Sequence, residues 1–102
     1  MAVIQEKKWS ILSPNGGSVI LLNIIDDEEE LPSEVRWNNV IYEKSGKIIW
    51  RIKRNHAVHG GSVIAVIGTL SESHFLAESY DGVTYEVGYL DGTASSIRYE
   101  KN

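Results

Sequence analysis

Two Asp-Gly dipeptides, Asp81-Gly82 and Asp91-Gly92, stand ten residues apart in a chain half that otherwise consists of short apolar runs. Glycine in such a pair can take the positive φ that a tight reversal needs, so each dipeptide between alternating apolar residues predicts two antiparallel strands. Val83, Tyr85, Val87 and Tyr89 lie between the two dipeptides at alternate positions, so all four are expected on one face of a strand.

The same reading extends upstream. Lys8 to Leu12 is a candidate strand that ends in the turn cluster Ser13-Pro14-Asn15-Gly16-Gly17. Ser18 to Ile25 is almost wholly apolar and β-branched, the pattern of a strand covered on both faces. Asn39 to Glu43 and Lys47 to Lys53 flank Lys44-Ser45-Gly46 as a hairpin, and alternation in the second arm predicts Ile48, Trp50 and Ile52 on the buried face. Ser62 to Thr69, His74 to Tyr80 and Ile97 to Glu100 complete about eight strands. The expected core contains Val19, Leu21, Ile48, Trp50, Ile52, Val63, Ile67, Phe75, Tyr85 and Val87. Strands joined mostly by turns predict an all-β antiparallel meander that forms a small β-sandwich or partly open barrel.

Two segments break the pattern. Residues 26 to 37 carry Asp26, Asp27, Glu28, Glu29, Glu30 and Glu34 with Leu31, Pro32, Val35 and Trp37, a long irregular connection for a small domain. Residues 54 to 61 carry His56 and His59 beside Arg54 and end in Gly60-Gly61.

With 102 residues, 42% hydrophobic and 24% charged, the chain supports one core and a single β domain over residues 1–102. It has no cysteine, which excludes disulfides and thiolate metal sites and points to a reducing compartment. The N-terminus lacks the apolar region of a signal peptide, and no apolar run reaches membrane-spanning length. A cytoplasmic protein without membrane contact is expected. The net charge of −4 disfavours general nucleic-acid binding and suits a basic partner.

The hairpin Asn39-Val40-Ile41-Tyr42-Glu43-Lys44-Ser45-Gly46-Lys47-Ile48-Ile49-Trp50-Arg51-Ile52, followed by Tyr80-Asp81-Gly82-Val83-Thr84-Tyr85-Glu86-Val87, resembles hairpins of small bacterial β-proteins. Such proteins are similar to immunity proteins encoded beside secreted toxins, including those of contact-dependent growth inhibition. The resemblance covers about the last two-thirds of the chain. Its matched positions are strand and turn residues, so it implies a fold and a role without carrying over a binding residue.

Among chemical candidates, the acidic run Asp26, Asp27, Glu28, Glu29 and Glu30 with Glu34 is complementary to the cationic cleft of a nuclease, and it reads also as a solvated, mutually repelling loop with Trp37 in the core. Trp37 adds an aromatic anchor of the kind that dominates binding energy. The run lacks the spaced acids, glycine and distant glutamate of a calcium loop. His56 and His59 have acid–base or metal-ligating chemistry but no local third ligand. His74 and Asp81 would join them only if folding brought the four together. Gly16-Gly17-Ser18 and Gly60-Gly61-Ser62 have no following helix and read as turns, not phosphate loops. Tyr80, Tyr85, Tyr89 and Tyr99 are explained by cross-strand packing as readily as by a ligand platform.

The expected function is therefore a non-enzymatic immunity protein that occludes the active site of a toxin, a nuclease above all, without cofactor or metal. A small hydrolase or nuclease using His56 and His59, with or without metal, and an adaptor that binds a peptide along a strand edge, remain alternatives.

Overall fold

The computed structural model describes residues 4–25, 38–54 and 63–99, with side chains for all of these except 4–6, 23–25 and 98–99. Nine strands follow in chain order: β1 (Ile4–Leu12), β2 (Ser18–Ile25), β3 (Val40–Lys44), β4 (Lys47–Arg51), β5 (Lys53–Arg54), β6 (Ile64–Thr69), β7 (His74–Ser79), β8 (Val83–Gly88) and β9 (Thr93–Tyr99). There is no helix among the described residues. The strands form two sheets, one ordered β1-β2-β3-β4 and the other β5-β9-β8-β7-β6. The first is an antiparallel meander. In the second, the meander β6 to β9 is extended by β5, which lies parallel to β9. The expected all-β architecture is present as two packed sheets that are not closed into a barrel.

One residue carries the chain between the layers. The Ile52 N–H donates to Val40 O in the first sheet at 2.9 Å, and the next N–H, of Lys53, donates to Gly92 O in the second at 2.8 Å. The expected single arm from Lys47 to Lys53 is thus split at Ile52 into β4 and β5. Alternation along a lone strand gives no sign of such a corner.

Val19, Leu21, Val40, Tyr42 and Trp50 of the first sheet share one buried cluster with Ile64, Ile67, Phe75, Ala77, Val83, Tyr85, Val87 and Ala94 of the second. Ile20 and Leu22, which alternate with that set on β2, are buried with Ile41 in a separate cluster. β2 is therefore covered on both faces, as its nearly continuous apolar run implies. The Trp50 ring stacks on Tyr42 at 5.4 Å and on Phe75 at 6.1 Å, and its Nε1–H donates to Tyr89 O at 2.8 Å. Gly92 is buried beneath the same ring, where a Cβ would overlap the indole. Glycine is needed there twice over, because its φ is +77°.

Ile48, expected in the core, is instead 60% exposed. Tyr42 pairs with Trp50 but Glu43 pairs with Ile48, so Ile49 is an extra residue on β4. This bulge resets the alternation and turns Ile48 to the side of Glu43 while Trp50 stays inside. Val63 precedes β6 and is only half-buried. The other eight expected core residues are buried.

The turns are of the expected kind but differ in length. Ser45 (φ +55°) and Gly46 (φ +78°) make a two-residue reversal with both φ values positive. At Asp81-Gly82 the connection has three residues, since β7 ends at Ser79 and β8 starts at Val83. Gly82 N–H bonds Ser79 O at 3.0 Å with Gly82 at φ +91°, and Tyr80 is exposed in the turn. β9 begins at Thr93, ahead of the expected Ile97, because Thr93 N–H bonds the Asp91 carboxylate at 3.0 Å and starts the strand at once. That bond holds the Asp91 carboxyl below its usual range. Near the first turn, the Tyr42 hydroxyl, the Ser13 hydroxyl and the Asn15 side-chain oxygen form a polar cluster.

Candidate functional site

The acidic candidates Asp26, Asp27, Glu28, Glu29, Glu30 and Glu34, with Trp37, lie outside the described residues, as do His56 and His59. The residues that bound these two segments are described, and three of the four ends converge. The first segment leads into Asn38 and the second leaves from Arg54. Arg54 Nε donates to Asn38 Oδ1 at 3.0 Å, and Arg51 donates through a terminal nitrogen to Asn38 O at 2.7 Å. Two guanidinium groups thus grip one asparagine at the exit of the acidic segment.

Asn39 ties Ile64 into the same cluster. Its Nδ2 donates to Leu22 O at 2.9 Å and to Ile64 O at 3.0 Å, while Ile64 N–H donates to its Oδ1 at 2.8 Å. The buried amide therefore acts toward Ile64 as a peptide group of a neighbouring strand would. Leu22 stands near the entry to the acidic segment and Ile64 just past the exit of the histidine segment. One cluster of Asn38, Asn39, Arg51 and Arg54 gathers the exit of the acidic segment and both ends of the histidine segment, while the entry to the acidic segment lies further along β2, at Ile25.

Arg54 is only 8% exposed. Its guanidinium lies over the Tyr85 ring at 5.4 Å from the centroid, a placement that suits the planar, weakly hydrated cation. Burial pushes the Arg54 guanidinium below its usual range, and Tyr85 and Asp81 oppose that change. Burial likewise lowers Arg51. Both remain cations near neutrality because arginine starts far above it. Sequence reading counted Arg54 only as a neighbour of the histidines and missed Asn38 and Asn39, since a pair of asparagines before a strand has no chemical signature.

Of the other candidates, Asp81 bears on this cluster only through its charge on Arg54, and the rest are not drawn into it. His74 starts β7, where its Nδ1 lies 2.7 Å from Ser73 Oγ. Asp81 sits in the turn beyond the other end of β7 and accepts a hydrogen bond from Ser79, so the length of the strand, about 20 Å at strand rise, separates the two. Tyr85 and Tyr89 are core residues and Tyr80 is a turn residue, so no aromatic platform forms from them. Gly16-Gly17 is a turn, with Ser13 N–H bonded to Gly17 O at 2.8 Å. Among the described residues, no group of three or more histidine and carboxylate side chains could hold a metal ion. No described helix is long and apolar enough to cross a membrane.

A second feature was not legible in the sequence. A groove of about 340 Å³ opens between the edges β1 and β6, lined by Lys8, Trp9, Leu21, Ala65, Val66 and Ile67. Trp9 is 60% exposed and Val66 55% exposed on its walls. Comparison with family models, with curated proteins and with solved structures gave no match.

Proposed function

We propose that the chain is a stoichiometric protein inhibitor of the immunity type, which binds a bacterial toxin domain and covers its active site without chemistry of its own. The observation that carries this reading is the convergence of the acidic segment's exit and both ends of the histidine segment on Asn38, Asn39, Arg51 and Arg54. A sandwich in which described ends of the two segments adjoin is suited to offer both to one partner. The acidic segment supplies six carboxylates, Asp26 to Glu30 and Glu34, which complement a cationic phosphate-binding cleft. A nuclease is therefore the preferred target, and a cytoplasmic site of action follows from that role. The resemblance read in the two hairpins, to small bacterial β-proteins and through them to immunity proteins, points the same way.

The test is to titrate the purified chain against the toxin domain encoded upstream of its gene and follow cleavage of nucleic acid. Activity should vanish at equimolar ratio. Replacing Asp27, Glu28, Glu29 and Glu30 with the corresponding amides should leave folding intact while slowing association and flattening its salt dependence. Absence of a complex with that domain, or turnover of RNA, DNA or esters by the chain itself that is abolished in His56→Ala, would overturn the proposal.

A further inference from the structure

A bulge in β1 separates two consecutive lysines. Lys7 pairs with Leu22 and Trp9 with Leu21, so Lys8 is an extra residue in the strand. Leu22 belongs to the outer face of the first sheet and Leu21 to the face that meets the second. Lys7 accordingly reaches Glu43 at 3.8 Å, whereas Lys8 and Trp9 both line the groove between β1 and β6. Bulges re-aim side chains in this way beside binding and active sites.

Trp9 and Ile11 share the inner face of β1, since they pair with Leu21 and Val19. Ile11 packs against the core, but Trp9 is 60% exposed because the second sheet stops at β6. The groove therefore has an indole on one wall, Ala65 and Val66 on the other, and the buried Leu21 and Ile67 at its base. Among the described residues that line it, Lys8 is the only charged one. Glu78 pairs with Val66 but lines a different depression, with Gly68, Leu76 and Thr84. An apolar groove of about 340 Å³ with one placed charge has the make-up of a small-molecule site. Six described residues line it, against about 20–30 on each side of a stable protein contact.

We propose that this groove binds a small apolar monocarboxylate, with its hydrocarbon body between Trp9 and Val66 and its carboxylate on the Lys8 ammonium. Seating the body removes the indole and the Val66 side chain from water. Lys8, at the open rim, pairs with the carboxylate while both keep part of their hydration. A neutral ligand gains only the first of these contributions, and a cationic one is repelled. The site is independent of toxin binding.

Octanoate, 1-octanol and octylammonium share one chain and differ in charge. Titrated into the full chain below the concentrations at which they aggregate, they can be followed by amide and indole NMR shifts. Octanoate should saturate a single site, with the largest shifts at Lys8, Trp9, Ala65, Val66 and Ile67. 1-Octanol should bind about three- to tenfold more weakly, and octylammonium more weakly still. Lys8→Met keeps the apolar stem, so it should lower octanoate affinity to that of the alcohol and leave the alcohol unchanged. Trp9→Ala should weaken both. The two positions are exposed, so the variants should fold, and the charge series on the wild-type chain tests the proposal without them. The fourfold amide variant of the acidic segment should bind octanoate as the wild type does, which separates this result from the toxin assay. Shifts that never saturate or that scatter beyond the groove, equal affinity for acid and alcohol, or octanoate binding indifferent to Lys8→Met would overturn the proposal.

Discussion

Single residues are placed here by contacts that cross between the layers. Gly92 and Gly46 have nearly the same backbone, φ +77° and +78°, yet Gly92 lies beneath Trp50 while Gly46 faces open space. Gly46→Ala should cost about 1–2 kcal/mol, the strain of a left-handed residue with a Cβ. Gly92→Ala adds overpacking of the indole to that strain, for a total of about 2–5 kcal/mol. Urea denaturation of the two variants measures the difference, which isolates the packing contribution. Equal losses would mean that the ring moves aside freely.

Among the elements, β4 decides most, because its bulge places three consecutive apolar residues differently. Trp50 is buried, whereas Ile48 and Ile49 are exposed. Trp50→Ala should cost about 3–5 kcal/mol, since it empties the space between Tyr42 and Phe75. Ile48→Ala should change stability by no more than about 0.5 kcal/mol, as expected for an exposed position. Thermal or chemical unfolding of both variants checks this contrast, and a loss above about 2 kcal/mol at Ile48 would place it in the core after all. Period-two alternation predicted the same fate for both residues, because a one-residue insertion in a ladder is visible only once the partner strand is known.

For the whole molecule, the link between the sheets at the root cluster rests on Asn39. Asn39→Ala removes three hydrogen bonds and leaves main-chain groups of Leu22 and Ile64 without that partner in a buried setting. The expected loss is about 2–4 kcal/mol, from desolvated groups left unpaired. Hydrogen exchange should rise first at Ile64 and in the strand ends that flank the two segments. Unchanged exchange at Ile64 would show that the sheets are held by the apolar core alone.

What the amino-acid order determined by itself is local: the alternating face of Val83, Tyr85, Val87 and Tyr89, the two-sided burial of β2, and the glycine turns. Each depends on backbone preference or on a period confined to a few adjacent residues. The acidic and histidine segments stand on the sequence alone, since they lie outside the described residues. Only the tertiary structure decided the corner at Ile52, the bulge that exposes Ile48, and the gathering of three segment ends around Asn38 and Asn39. Those depend on which distant strand supplies the opposing hydrogen-bond groups. Residues such as Asn39 and Ile64, 25 apart in sequence, acquire their relation only when two sheets pack and leave polar main-chain groups that must find partners.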